Sequence, residues 1–398
     1  MSISPTPAHG GSAGEVLRLV RSSGGLTRAE VMHRTGLARS TVTQRLHALV
    51  ELGLVEASGA SSTGGRPASR FVFRPEAGAL LVADVGATGV RAAVTDLDGT
   101  VLAEVERPLD ITSGPESCLT TIDRLFDGLL QRAHLSPARL LGVGLGVPGP
   151  VDFERGEVVT PPIMSGWDQF DIRSWFAPRR PCPVIVENDA NAMAVGEHRM
   201  AHADVDSLIM LKISTGIGAG IIAGGRLFRG FDGAAGDLGH VQLSGPEAVG
   251  PQPVCRCGNH GCVEAYAGGW ALVRDLRELG RDVSSVSDIV ALVRAADPEA
   301  VAATRRAGRI IGAGLSDAVS LLNPAVVVLG GALTSAGEHL FAGVRETVYA
   351  RSLPLATRRL SIVGASQGQH AGLAGIVVTL NDHLLDPSRI EEMLGPMV

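Results

Sequence analysis

The hydrophobic positions divide the chain into two textures. Up to about residue 74 they recur at helical spacing in short blocks. Val16, Leu17 and Val20 predict a first amphipathic helix opening near Gly14. Thr27-Arg28-Ala29-Glu30 has the form of a capping box and opens a second, short helix bearing Val31 and Met32. After the turn Thr35-Gly36-Leu37, a third helix is expected over about 40–52, with Val42, Leu46 and Leu49 on its apolar face. That face leaves Arg39, Ser40, Thr41, Thr43, Gln44 and Arg45 pointing outward. Two short strands, 54–57 and 70–73, flank a loop containing Gly64-Gly65-Arg66-Pro67. Three helices followed by a hairpin form a winged helix-turn-helix pattern. The polar start of the third helix is the end that enters a major groove. Arg66, on a proline-stiffened wing, suits the negative potential of a narrow minor groove. A helical cap with no DNA role is the alternative, and it leaves this clustering unexplained.

From residue 79 onward strands alternate with helices. The segments 79–85, 89–96 and 100–108 read as three consecutive strands, followed by a helix near 118–133 and buried strands at 141–147 and 184–187. The same order recurs: strands at 208–213, 218–223 and near Arg226, a helix around 302–322, and buried strands at 326–329 and 360–363. This repetition predicts two similar lobes with a cleft between them. Three strand ends carry Gly-rich turns: Asp84-Val85-Gly86-Ala87-Thr88, the run from Ser214 to Gly220, and Leu329-Gly330-Gly331-Ala332. Glycine lets backbone amides approach phosphate oxygens, although tight β-turns also require it. Glu187-Asn188-Asp189 closes a buried strand, where polar groups open into a cleft. Asp189 suits a base that deprotonates a hydroxyl, and it equally suits the cap of a helix beginning near Ala190.

Charge sharpens the division. Net charge is −6 overall, but residues 1–74 hold nine Arg and four Glu, or +5, which leaves −11 for the rest. A basic head on an acidic body points to nucleic acid at the head alone. Lys212 is the one lysine, so Arg is the default cation here. No secretory leader is read in residues 1–14, and no apolar run reaches membrane-spanning length; the expectation is a cytoplasmic protein with no membrane partner. Three of the five cysteines, Cys255, Cys257 and Cys262, fall within eight residues and follow His240. One His and three thiolates make the closed set that structural zinc prefers; free thiols or a redox disulfide are the weaker alternatives.

Together these residues resemble the ROK family (repressor, open reading frame, kinase). The specific marks are Gly239-His240, the 255–262 loop with Glu264 after it, Glu187-Asn188-Asp189-Ala190-Asn191, the run from Gly146 to Asp152, and Leu322-Asn323-Pro324. Kinase members lack the DNA-binding head that this chain carries. The resemblance implies an α/β fold: a winged helix-turn-helix followed by a two-lobed, actin-like sugar-kinase body of the ribonuclease H-like kind. The expected division is a disordered tail over 1–12, the head over 13–74, a first lobe over 75–190, and a second lobe over 191–398 with the zinc loop and a returning C-terminal helix.

The resemblance further implies a sugar or sugar phosphate between the lobes, contacted by Asn188, Asp189, Asp237, His240 and Glu264. His240 would serve zinc with one nitrogen and face the sugar with the other. Gly86, Thr88, Thr215, Gly216, Gly218, Gly330 and Gly331 would be remnants of phosphate loops for ATP with magnesium, and Asp189 the base of any surviving kinase reaction. Four departures argue against that reaction. Ala87 replaces a second glycine, Gly89 a polar residue, Asp237 the usual Glu, and Ile163 a sugar-contacting Asn. The reading is therefore a sugar-responsive DNA-binding regulator, acting as a dimer or tetramer on a pseudo-palindromic operator. An ATP-dependent sugar kinase is the alternative.

Overall fold

The computed structural model describes residues 11–59, 69–247 and 250–395. The head begins with α1 (Ala13–Ser22), β1 (Leu26–Thr27), α2 (Arg28–Thr35) and α3 (Arg39–Glu51), and ends with the hairpin β2 (Val55–Ser58) and β3 (Arg70–Phe73). The Thr27 box forms as expected: its side chain accepts from the Glu30 amide while Glu30 accepts from the Thr27 amide. Gly36, in the left-handed region at φ 71°, ends α2 and turns the chain into α3. One strand exceeds expectation: β1 joins the edge of the hairpin in the order β1-β3-β2. At two residues it is too short to show a period. The wing sequence 64–67, Arg66 included, lies outside the described residues.

The body holds two five-stranded sheets. The first is built from β4 (Ala79–Val85), β5 (Gly89–Thr95), β6 (Val101–Pro108), β7 (Leu140–Val147) and, after a small hairpin of β8 (Val151–Asp152) and β9 (Glu157–Val158), β10 (Val184–Asn188). Helices α4 (Pro115–Arg132) and α5 (Ile172–Phe176) belong to this half, and α6 (Asp189–Ala201) leads out of it. The second sheet is built from β11 (Ser207–Ile213), β12 (Ile217–Ala223), β13 (Arg226–Leu227), β14 (Val326–Gly330) and β15 (Ser361–Gly364). Between β13 and β14 come α7 (Val263–Ala267), α8 (Gly269–Glu278), α9 (Val286–Arg294) and α10 (Pro298–Leu322); α11 (Glu338–Arg351) and α12 (Pro354–Thr357) precede β15. Helices α13 (Ala371–Leu384) and α14 (Pro387–Leu394) close the chain. The strand orders are β10-β7-β4-β5-β6 and β15-β14-β11-β12-β13, so the two sheets share one topology. In each, two pairings are parallel and two antiparallel, so four strands run one way and one, β5 or β12, runs against them.

Helices α6 and α13 pack together at the junction of the lobes. Their contact requires glycine: a Cβ on Gly196 would lie 2.0 Å from the Ala371 carbonyl oxygen, and one on Gly375 would lie 1.7 Å from that of Ala192. Close backbone approach here lets α13 return from the second lobe onto β4 and β7 of the first.

The head has no separate core. Val16, Leu17, Val20, Leu46 and Leu49 share one apolar cluster with Leu80, Val82 and Leu97 of the first lobe and with Ile376, Leu380 and Ile390 of the C-terminal helices. Arg21 donates to the Leu97 carbonyl and sits 3.7 Å from Asp98, while Arg45 sits 3.6 Å from Glu391 on α14. Burial on this scale makes the head and body one mechanical unit. Among the described residues no helix is long and apolar enough to cross a membrane.

Candidate functional sites

A cleft lies between the lobes, where the carboxyl ends of the parallel strands converge. Its lining includes Gly86, Ala87, Ile163, Asn188, Asp189, Lys212, Thr215, Gly216, Gly218, Asp237, His240 and Glu264. The five residues expected to contact a sugar are therefore brought together, and Ile163 stands on the same wall. Thr88, Gly330 and Gly331 are not part of the lining. The backbone explains Gly331 without a phosphate: at φ 93°, a Cβ there would lie 2.5 Å from the Ile213 carbonyl oxygen.

At the head of α6 the cap is Asn188. Its Oδ1 accepts from the amides of Ala190 and Asn191 at 2.9 and 3.0 Å, and its Nδ2 donates to the Gly149 carbonyl at 2.8 Å. Asp189 is thus the first helical residue, not the cap that sequence also allowed. Its carboxylate accepts instead from Lys212, with Nζ 2.5 Å from Oδ2. Beneath them, Glu187 is fully buried and accepts two hydrogen bonds from Arg229, whose guanidinium stacks 4.1 Å from the Phe153 ring. Nearby, Asp84, one residue before the end of β4, is half-buried, and its solvent-shielded Oδ1 has no hydrogen-bond partner. Burial pushes the Asp84 carboxyl up, opposed in part by the charge of Lys212. Burial also works against the Lys212 ammonium, but Asp189 and Asp84 more than offset it, so its pKa is held above the ordinary lysine value.

Glu264, on α7, faces the cleft with both oxygens engaged: Oε2 accepts from the Ile217 amide at 2.8 Å and Oε1 from the Trp270 indole at 3.0 Å. The Gly-rich loop after β11 therefore rests on this carboxylate. A Cβ at Gly216 would lie 2.4 Å from Glu264 Oε2, which is why glycine stands there. Arg256, over the Trp270 ring at 4.8 Å, also lines the cleft.

Behind that wall the donor atoms of His240, Cys255, Cys257 and Cys262 all lie within 4.8 Å of one another. Cys255 Sγ is 3.6 Å from His240 Nδ1, and Cys257 Sγ is 3.7 Å from Cys262 Sγ. Thiolates bound at ~2.3 Å to one tetrahedral zinc would stand roughly 3.8 Å apart, so the donor set fits that ion. Burial, with the neighbouring thiols, pushes the Cys262 thiol up to about 12. His240 Nε2 points the other way, 4.0 Å from Asp237 Oδ1. Burial raises the Asp237 carboxyl, partly countered by His240.

On the head, Arg39, Ser40, Thr43 and Gln44 are exposed along one side of α3, and Thr41 is half-buried. Arg45 departs from the expected outward face. It is half-buried, donates to the Gly11 carbonyl and lies beside Glu391, so it belongs to the contact between head and α14. Sequence reasoning also passed over Lys212, Asp84 and Arg229. The one available signal was that Lys212 is the chain's sole lysine.

A body of two lobes around a cleft, preceded by a helix-turn-helix, defines the class. The ROK family model matches residues 81–382, and the IclR helix-turn-helix domain matches residues 13–59. The chain belongs to the ROK family. The xylose repressor of Bacillus subtilis is 31% identical over 373 residues, covering 93% of this chain and 95% of that protein. The glucokinase of Streptomyces coelicolor is 31% identical over 315 residues, covering 73% of this chain and 94% of the enzyme. Among solved structures, a ROK family transcriptional regulator homologous to the E. coli MLC protein superposes with a TM-score of 0.78 at 26% identity, over 95% of this chain and 98% of that one. A Streptomyces griseus ROK glucokinase in complex with glucose and AMPPNP matches with a TM-score of 0.64 at 30% identity, over 76% of this chain and 99% of the enzyme. The repressor and the regulator cover more of this chain, 93% and 95%, than the two glucokinases, 73% and 76%.

Proposed function

We propose that this chain is a sugar-responsive DNA-binding repressor. The observation that carries the reading is the shared core: helix α3 packs in one apolar cluster with Leu80 and Val82 of β4, Ile185 of β10 and Ala192 of α6, the elements that lead to Gly86, Asn188 and Asp189 in the cleft. A ligand that alters the cleft therefore acts on the head without a flexible linker between them. Arg39, Ser40, Thr41, Thr43 and Gln44 face the major groove, and Arg66 of the wing meets the minor groove. One α3 reads few base pairs, so two heads of a homo-oligomer act on a pseudo-palindromic operator. The cleft takes a sugar on Asn188, Asp189, Asp237, His240 and Glu264. Zinc on His240, Cys255, Cys257 and Cys262 fixes the loop that delivers Glu264, and four protein ligands leave that ion no open position for catalysis.

Fluorescence anisotropy of the full-length protein on DNA from upstream of its own coding sequence tests this. Binding should be sequence-selective, weaken steeply with salt, and respond to a sugar. Xylose and glucose are the first to try, because relatives are named for them. Binding that is indifferent to DNA sequence and to every common pentose and hexose would sink the proposal.

A kinase reading draws on Asp189 and on Gly86, Thr215, Gly216 and Gly218, which face the cleft where ATP with magnesium would lie. Against it stand Ala87, Gly89, Ile163 and the pairing of Asp189 with Lys212. A coupled ADP-release assay should stay at background.

A further inference from the structure

The cation at the floor of the cleft has an assignment that neither a phosphate loop nor a sugar pocket requires. Lys212 stands on β11 on the side of Leu208 and Met210, which pack with Met193 and Ala194 of α6. A core-facing strand position is an expensive place for an ammonium, yet the sole lysine of a chain with 34 arginines is placed there. The neighbours explain the choice. Lys212 Nζ meets Asp189 Oδ2 at 2.5 Å, and half-buried Asp84, whose shielded Oδ1 is unpartnered, lies within electrostatic reach. A compact ammonium suits this confined site, whereas the planar fork of arginine demands bidentate geometry. The three groups come from three elements of both lobes: Asp84 from β4, Asp189 from α6 and Lys212 from β11.

We propose that Lys212 is an internal counter-ion that holds Asp189 as a hydrogen-bond acceptor for an uncharged sugar hydroxyl and removes it from service as a base. The inference rests on the sugar-receptor reading above and names its ligand class. With its proton directed at Asp189 Oδ2, the ammonium keeps that oxygen from taking a proton from the sugar. A ligand phosphate gains little from this cation, because two carboxylates already surround it, and Asp237 and Glu264 face the same cleft. The site thus favours a neutral sugar over its phosphate ester. Lys212 is a positioning residue, acting on the ligand through Asp189.

The test is calorimetry on the full-length, metal-replete protein, titrating xylose, glucose and glucose 6-phosphate. The wild type should bind a neutral sugar about tenfold or more tighter than the ester. Lys212→Met should weaken neutral-sugar binding by about tenfold while sugar-free operator binding, the control for folding, persists. Because Lys212→Met leaves buried Asp189 and half-buried Asp84 unbalanced, the double variant Asp189→Asn/Lys212→Met is measured beside it; removing both charges of the pair lessens that stress. If Lys212 acts through Asp189, the double variant binds sugar no worse than either single one; additive losses overturn the proposal. Undiminished sugar binding by a folded Lys212→Met protein also overturns it, leaving the receptor reading intact. Tighter binding of the ester, lost in Lys212→Met, would make Lys212 an anion receptor instead. A wild type that binds none of these ligands defeats the receptor reading, and this inference falls with it.

Discussion

The two lobes repeat one sheet, and the pair of positions that the repeat makes equivalent carry opposite charges. Asp84 is the sixth residue of β4 and stands between Gly146 of β7 and Arg91 of β5. Lys212 is the sixth residue of β11 and stands between Gly330 of β14 and Gly218 of β12. Both precede a Gly-rich turn at the cleft floor. Two carboxylates at such positions would repel each other and invite a cation. A lysine on one side supplies that cation from the chain itself. The lobes therefore share a sheet topology but not chemistry: the first contributes negative charge, the second the balancing positive charge and the cluster of one His and three Cys. Function diverges here by side chain on an unchanged scaffold.

The sharpest way to break this comparison is to remove what only the second lobe has. Cys257→Ser deletes one of four closely grouped donors. Zinc content of the purified protein should fall from one per chain to none, with stability lost by about 4 kcal/mol or more. Sugar response should vanish with it, since the loop leads directly into Glu264. Elemental analysis and thermal melts check both parts; wild-type protein free of zinc would refute the metal assignment.

The next test strikes the turn after β11 alone. Gly216→Ala drives a methyl group toward Glu264 Oε2 and dislodges the carboxylate from the Ile217 amide. The expected cost is about 1–3 kcal/mol in stability, with weaker sugar binding by calorimetry. Thr88 already carries a Cβ at the corresponding position in the first lobe, so a silent Gly216→Ala would show the two turns to be alike after all.

Much of this architecture was legible in the chain. Period-2 runs and buried apolar runs place β4 to β7, β10 to β12 and β14 within one or two residues, because strand burial is local and repetitive. Strand order was not legible, since hydrogen-bonded neighbours such as β4 and β7 are separated by half a lobe. The cysteine loop was readable because its ligands lie close in sequence. The Lys212–Asp189 pair was not, because it joins different elements, and being the sole lysine does not say which carboxylate it meets. Arg45 misled for a related reason. Helical spacing placed it with the polar face of α3, but the polar group it meets, Glu391, comes from the far end of the chain.

That misplacement yields a contrast within one helix. Gln44 is exposed, so Gln44→Ala should cost about 1–3 kcal/mol against the operator and relax its preference at one base position. Arg45→Ala should instead lower the melting temperature by loosening α14 from the head, while the ranking of operator sequences stays the same. Anisotropy on a panel of single-base operator variants separates the two. A changed base preference in Arg45→Ala would return that residue to the reading face.

The smallest effect is expected at Asp84, and its sign is informative. Asp84→Asn keeps the shape and removes one negative charge. Lys212 still has Asp189 at 2.5 Å, so neutral-sugar affinity should change less than in Lys212→Met. Stability should respond differently at different pH. Burial raises the Asp84 carboxyl in the folded state, so the native protein binds this proton more tightly than the unfolded chain does. Its contribution is favourable below the unfolded value near 3.8 and is lost as pH rises through the folded value. Asparagine has no such loss. The melting temperature of Asp84→Asn relative to wild type should therefore increase from pH 4.5 to pH 7.5, by an amount equivalent to about 1 kcal/mol for each unit of upward shift. Taking the difference between the two proteins cancels the other carboxylates that titrate in that range. A relative melting temperature that falls over the same range would mean that the pull of Lys212 outweighs burial. Asp84 would then be a working partner of the ammonium, as firmly held as Asp189.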